Sequence, residues 1–281
     1  MDEALEKINK IMKDIKTWML SKKLKLNEDK TECMLYGSTS KLKKYEHLDS
    51  IKVGSSTIQI KTGIRDLGVQ IDNRLSMKNQ VLQTVKICNF NIRNIAFIRK
   101  YLNEDALKTA ICNHVLSRLD YCNSVYYGLP NYLLRKLQNT QNRAARLIKG
   151  LRLRDRITPT LIELHWLPMK ARIEYKILLL VNKALRYGEP TYLKTHLNKL
   201  RLDTNVMVRH MSDEHRLFEP RTNSKLGERT FKYSAPRLYN NLPSEMKNIQ
   251  EEKVYKRKLK TLLFGRSYDT EDLTIKPRYK I

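Results

Sequence analysis

Eight cations, Arg135, Lys136, Arg143, Arg146, Lys149, Arg152, Arg154 and Arg156, fall between residues 131 and 160 against a single acid, Asp155. Guanidinium and ammonium groups at this density are suited to phosphates, Arg through a planar fork of donors and Lys as a point charge. Phosphate contacts need charge and position but no base-edge reading, so they imply little sequence preference. The whole chain leans the same way: 55 Lys+Arg against 29 Asp+Glu give a net charge of +26 over 281 residues. An excess of that size is costly in self-repulsion unless a polyanion screens it. RNA or DNA, bound non-specifically, is therefore the expected partner. A basic helical module that binds acidic proteins or anionic surfaces is the alternative, and a solvated helix face is the plain one.

Other chemistry is poorly provided for. The acid pairs Glu28-Asp29, Glu104-Asp105, Asp213-Glu214 and Glu251-Glu252 sit in helix-end, turn or polar contexts, and the chain contains no Asp-Asp dipeptide. Cys33, Cys88, Cys112 and Cys122 form no C-x-x-C pair, and the Cys112, His114, Cys122 spacing fits no common zinc site. They read as buried thiols in a reducing compartment. His47, His196, His210 and His215 have no partner in the pattern. No metal and no cofactor is expected. The longest aliphatic run, 177–181, is far short of the roughly 20 residues that span a bilayer. The opening MDEALEKINK is not a signal peptide. The expectation is an intracellular protein, nuclear or cytoplasmic, with no membrane partner.

These residues must be positioned by elements, and two regimes are visible. In 3–21, Ile8, Ile11, Met12, Ile15, Trp18 and Met19 recur at helical spacing. Short strands are predicted at 32–36, 51–53, 56–60 and 67–71, with a polar loop at 38–46. Beyond residue 75 helices dominate. One carries Val81, Val85, Cys88, Ile92 and Ile95. The next is capped by Asn103 and carries Ala106, Ala110, Ile111 and Val115. The clearest, 131–149, places Leu133, Leu134, Leu137, Ala144, Ala145 and Ile148 on one side and its cations on the other. A third long one, 169–187, carries Ile173, Ile177, Leu178, Leu180, Val181 and Leu185 and ends at Gly188 and Pro190. Residues 195–235 read as polar and irregular, and 253–260 as a basic tail. The fold class is α+β, mostly α, in three parts: 1–75, 76–190 and 191–281. Residues 1–40 hold eight Lys/Arg and seven Asp/Glu, so the charge excess lies in the helical portion.

Several motifs carry a family resemblance. Trp18-Met19, Leu24-Lys25-Leu26-Asn27 and Lys30-Thr31-Glu32 resemble the palm segment that follows the catalytic motif in reverse transcriptases of non-LTR retrotransposons. Asp66-Leu67-Gly68-Val69-Gln70-Ile71-Asp72 resembles the element near the primer grip of that family. Leu164-His165-Trp166-Leu167-Pro168 with Arg172-Ile173-Glu174-Tyr175-Lys176 resembles a C-terminal signature of LINE elements of the Jockey and chicken-repeat kind. Phe231, Tyr239-Asn240-Asn241-Leu242-Pro243 and Lys258-Leu259-Lys260-Thr261-Leu262-Leu263-Phe264 resemble the end of those reading frames, with Tyr239 where Trp is usual. The resemblance covers nearly the whole chain, in the family's order.

The resemblance implies a palm remnant at 1–75, a helical thumb-like region at 76–190 and a C-terminal basic region at 191–281. It implies that Lys30 stands near an incoming nucleotide's phosphates, and that Leu67-Gly68-Val69 forms a primer-grip turn. The 131–156 cations would then hold a template–primer backbone. The parent family uses Mg held by palm aspartates, one from an early motif and two from an aromatic-x-Asp-Asp turn. Those ligands are absent, so the chain reads as a truncated reverse transcriptase with no polymerase activity of its own. A thumb supplied in trans to a separate palm is a further possibility. Without its partner strands, 1–72 should show exposed apolar surface and unpaired edges. From the residues alone, Lys30 reads as a surface lysine preceding a strand, and 67–69 as either a primer-grip turn or a strand packing under the first helix. Tyr121, Tyr126 and Tyr127 read as core, and His165-Trp166 as a packing corner.

Overall fold

The apolar periodicity of the first residues does form a helix, α1 (Asp2–Ser21). In this computed structural model, which describes residues 2–27, 30–53, 56–197 and 216–268, the apolar face of that helix stays largely uncovered. Ile8, Ile11, Ile15 and Trp18 are 38%, 56%, 40% and 60% exposed. The helix lies against the first of two hairpins, where the Asn9 amide donates to the Lys52 carbonyl at 3.5 Å.

β1 (Ser50–Val53) and β2 (Ser56–Gln59) pair antiparallel with Ile51 opposite Ile58. β3 (Gly63–Asp66) and β4 (Val69–Asp72) pair antiparallel with Ile64 opposite Ile71. The expected strand at 67–71 is corrected here. Leu67 and Gly68 take φ of +44° and +86° and form the two-residue turn between β3 and β4. Two positive φ values match the right-handed twist of the flanking strands, and the glycine makes the second one cheap. The expected strand at 32–36 is also absent, since only Cys33 bridges Ile60. Part of the 38–46 loop is a short helix, α2 (Thr39–Lys43), capped by Ser38, whose hydroxyl accepts the Lys41 N–H at 3.4 Å.

The chain divides into two compact units, 1–80 and 81–281. α3 (Lys78–Ile98) opens at the end of the first. A 3₁₀ turn, Arg99–Tyr101, leads to α4 (Glu104–Ile111), where the Asn103 side chain accepts the Ala106 N–H at 2.8 Å as predicted. α4 runs through a π turn, Cys112–Leu116, into α5 (Ser117–Asp120). Its inward face is Leu107, Ile111, Val115 and Leu119, not Ala106, which is exposed. After a 3₁₀ turn, Asn123–Tyr126, come α6 (Asn131–Lys149), α7 (Thr158–Glu163) and α8 (Met169–Tyr187). α9 (Thr191–Lys194), α10 (Phe231–Asn240), α11 (Ser244–Lys247) and α12 (Glu252–Tyr268) complete the described elements.

The core of this unit is built from Leu133, Leu137, Ala144 and Ile148 of α6, Ile173, Ile177 and Val181 of α8, and Leu259 and Leu263 of α12. α8 packs against both α10 and α12. The expected boundary at 190/191 therefore does not divide the described residues, because the elements after it complete the same core. Residues 231–235, read as irregular, begin α10. Residues 198–215 of that stretch lie outside the described residues. The fold is α+β and mostly α, with two small antiparallel sheets. No described helix is long and apolar enough to cross a membrane.

Candidate functional site

The cations named above as candidates for phosphate contact separate into two sets. Arg135 and Lys136 stand exposed on the outer side of α6, as the periodicity predicts. Arg143 donates to Asn89 Oδ1 of α3 at 3.2 Å. Arg146 reaches over the end of its own helix and donates to the carbonyls of Arg152 at 3.3 Å and Asp155 at 3.1 Å. Lys149 lies between Glu104 and Glu163, 2.5 Å from an oxygen of each. The hydrogen bond to Glu104, then that to Glu163, raise its pKa above the ordinary lysine value. The last two cations thus tie α6 to the loop that follows and to α4 and α7. The side chains of Arg152, Arg154 and Arg156 remain exposed on that loop. The loop is shaped by Gly150 at φ +67°, which ends α6, and by Asp155 Oδ2, which accepts the Arg152 N–H at 2.6 Å.

A neighbouring cluster escaped the sequence reading. Phe97 and Tyr101 are 80% and 76% exposed at the end of α3, and Lys100 lies 4.8 Å over the Tyr101 ring. Arg99 joins this end to α6: its Nε donates to the Leu147 carbonyl at 2.8 Å. Phe97, Arg99, Lys100 and Lys149 border one open hollow of about 460 Å³. Leu153, 79% exposed, stands on the adjoining loop. The signal was legible, since Phe97-Ile98-Arg99-Lys100-Tyr101 interleaves cations with aromatics. The end of α3 thus brings exposed aromatic rings beside the exposed cations Arg99 and Lys100, a combination that can stack bases and hold phosphates together.

The remaining predicted residues are placed elsewhere. Lys30 is exposed after α1, with its backbone N–H bonded to Asn27 Oδ1 at 3.2 Å. Leu67 is 84% exposed at the tip of the β3–β4 turn, and Val69 is buried. Both belong to the first unit, whereas the cation cluster belongs to the second. Of the tyrosines, Tyr126 is buried, Tyr127 half-buried and Tyr121 exposed, so only part of that cluster is core. Among the described residues no group of three or more His, Cys, Asp or Glu is placed to hold a metal ion.

The motif at 164–168 is a packing corner. His165 turns the chain at φ +52°, Trp166 is buried, and the Trp166 carbonyl accepts the Tyr268 hydroxyl at 2.6 Å. Two buried glutamines that the sequence reading missed fix the corner to α6. Gln141 Nε2 donates to the Leu167 carbonyl at 2.9 Å, and Gln138 Oε1 accepts the Met169 N–H that opens α8 at 2.8 Å. Asn240 acts similarly, accepting the Leu217 N–H and donating to the Leu217 carbonyl, each at 2.9 Å.

No family model, no curated protein and no solved structure matches the chain.

Proposed function

We propose that this chain binds single-stranded nucleic acid without sequence preference, through the surface at the ends of α3 and α6. The carrying observation is that Phe97 and Tyr101 are both largely exposed, with Lys100 against the Tyr101 ring and Phe97, Arg99 and Lys100 bordering one hollow. Exposed aromatic rings are costly to leave in water and are sequence-tolerant platforms for bases. The resemblance to non-LTR reverse transcriptases supports the same conclusion. On that reading α3 to α8 serve as a thumb and residues 1–75 as a palm remnant, and Lys30 has no nucleotide to act on. These 281 residues contain no Asp-Asp turn, so they carry no polymerase activity by themselves.

The test is binding to single-stranded RNA, duplex DNA and an RNA–DNA hybrid over a range of salt. Single strands should bind tightest, with affinity falling steeply as salt rises. Replacing Arg152, Arg154 and Arg156 together by Ala should reduce the single-strand salt slope by about 2. Tyr101→Ala should weaken single-strand binding about tenfold and leave duplex binding unchanged. Equal affinity for heparin and for every nucleic acid, unmoved by Tyr101→Ala, would favour the general acidic-partner module instead.

A second reading, a thumb acting in trans on a separate palm, is favoured by one observation, the uncovered apolar face of α1. Primer extension restored by adding this chain to an isolated palm would establish it.

A further inference from the structure

A separate cleft of about 330 Å³ opens in the larger unit where the Tyr126–Leu129 turn, the start of α8 and the 225–237 segment meet. That volume lies within the roughly 300–1,000 Å³ of small-molecule sites. Four cations border it: Lys170 on α8, Lys225 and Arg229 around the 3₁₀ turn Gly227–Arg229, and Arg237 on α10. Lys170, Lys225 and Arg237 are exposed, so a ligand entering the cleft can reach them. The stem of Arg229 is laid over Gly128, whose φ is +68°: a Cβ there would sit 2.7 Å from Arg229 Cγ. Tyr126, Leu129, Leu134 and Ile173 supply apolar wall.

The charges of the wall select the ligand class. Glu228 also borders the cleft, and Glu174 is buried on α8 nearby. Both act on the Tyr127 hydroxyl, another residue of the wall: burial raises its pKa, Arg237 opposes the rise, and Glu174, Tyr233 and Glu228 reinforce it. Tyr127 therefore stays protonated at neutral pH and keeps a proton to donate. Arg237 is steadied by Tyr233, with Nη1 3.5 Å from that hydroxyl and the guanidinium 5.9 Å from the ring centre. Setting Glu174 and Glu228 against the four cations leaves an excess of two positive charges. A phosphate monoester carries about −1.5 to −2 at pH 7, which matches in sign and size. Arg takes phosphate oxygens through its planar fork and Lys as a point charge. The apolar wall is left for the group that bears the phosphate.

We propose that this cleft binds a phosphate monoester with an aromatic or apolar body, the phosphate at Lys225 and Arg237 and the body against Leu129, Leu134 and Ile173. It stands apart from the α3–α6 surface and does not depend on it. The source is either a free nucleotide or the 5′-phosphate at the end of a strand.

The test is calorimetry on the full chain with phenyl phosphate as the probe. It should bind about tenfold more tightly than inorganic phosphate, and phenol at the same concentration should give no heat of binding. Lys225→Gln together with Arg237→Gln should weaken phenyl phosphate about tenfold or more at an unchanged thermal midpoint, since both side chains are exposed. If that variant fails to fold, Lys225→Gln alone serves, with a loss of about threefold. Lys232→Gln, exposed on α10 but not on the wall, should leave the affinity as it is. Tyr101→Ala should also leave it unchanged, which separates this cleft from the α3–α6 surface. A 5′-phosphorylated uridine pentamer that displaces phenyl phosphate better than uridine monophosphate assigns the site to a strand end, and equal displacement assigns it to the free nucleotide. Phenyl phosphate bound no more tightly than inorganic phosphate overturns the proposal. So does undiminished binding in the cleft variant, or an equal loss in Lys232→Gln.

Discussion

At the scale of single residues, side chains quoted for their motifs do structural work here. Asp72 closes the stretch compared with a primer grip, and its carboxylate gathers the following turn. It accepts the N–H groups of Arg74 at 3.1 Å, Ser76 at 2.9 Å and Met77 at 2.8 Å, and the Ser76 hydroxyl at 3.0 Å. Partial burial alone pushes its pKa up, the largest single influence, but the bonds from Ser76, Met77 and Arg74 together outweigh it and hold the group below the ordinary carboxylate value. A depressed pKa contributes stability that is fully present above the unfolded value and is lost as pH falls through the folded value. The first unit should therefore weaken on acidification below about pH 4. Asp72→Ala should destabilise it by about 2 kcal/mol at neutral pH and flatten that acid limb. Denaturant titrations of both proteins at pH 7 and pH 3, followed by Trp18 fluorescence, check this. A variant as acid-sensitive as wild type would show that other carboxylates carry the effect.

At the scale of elements, the sequence announced helices well and their fastenings poorly. The apolar spacing of α6 and α8 placed Leu133, Leu137, Ile148, Ile173 and Ile177 in the core, where they are. The same spacing gave no warning that Gln138 and Gln141 are buried, since a polar residue on the periodic face reads as a boundary until its partner is known. Their partners, Leu167 and Met169, lie 26 and 31 residues away. The β3–β4 hairpin was half seen because Leu67 looks like strand, and only the pairing reveals a left-handed turn. The cations show the same limit. Spacing put Arg146 on the solvent side of α6, but it cannot show that the side chain folds back onto the carbonyls of the next loop. Arg146→Ala should therefore lower stability, while Arg152→Ala should leave stability unchanged and weaken nucleic-acid binding. Gln138→Ala should cost about 2 kcal/mol by orphaning the first N–H of α8. Urea midpoints for the three variants, beside their affinity for single-stranded RNA, separate fastening residues from contact residues.

At the scale of the whole molecule, the two units differ in how much each buries. Within 1–80 the buried apolar side chains among the described residues are Ile51, Val53, Val69 and Met77, and none belongs to α1. Two separate two-stranded sheets, each with free edges, add little independent stability. The second unit buries apolar side chains from α3, α4, α6, α8, α10 and α12, and satisfies the buried glutamines of α6 as well. Local unfolding free energy follows buried apolar contact and protected hydrogen bonds. Amide hydrogen exchange on the intact chain should thus show two tiers, with α1 and both hairpins exchanging through low-energy openings and α6 and α8 only near the global limit. The same imbalance predicts that self-association, where it occurs, starts at the α1 face. Ile11→Lys together with Trp18→Gln should reduce self-association at high protein concentration without lowering the exchange protection of α6. If the double variant instead unprotects β1 and β2, α1 holds the hairpin through those side chains and its apolar face already has a partner within its own unit.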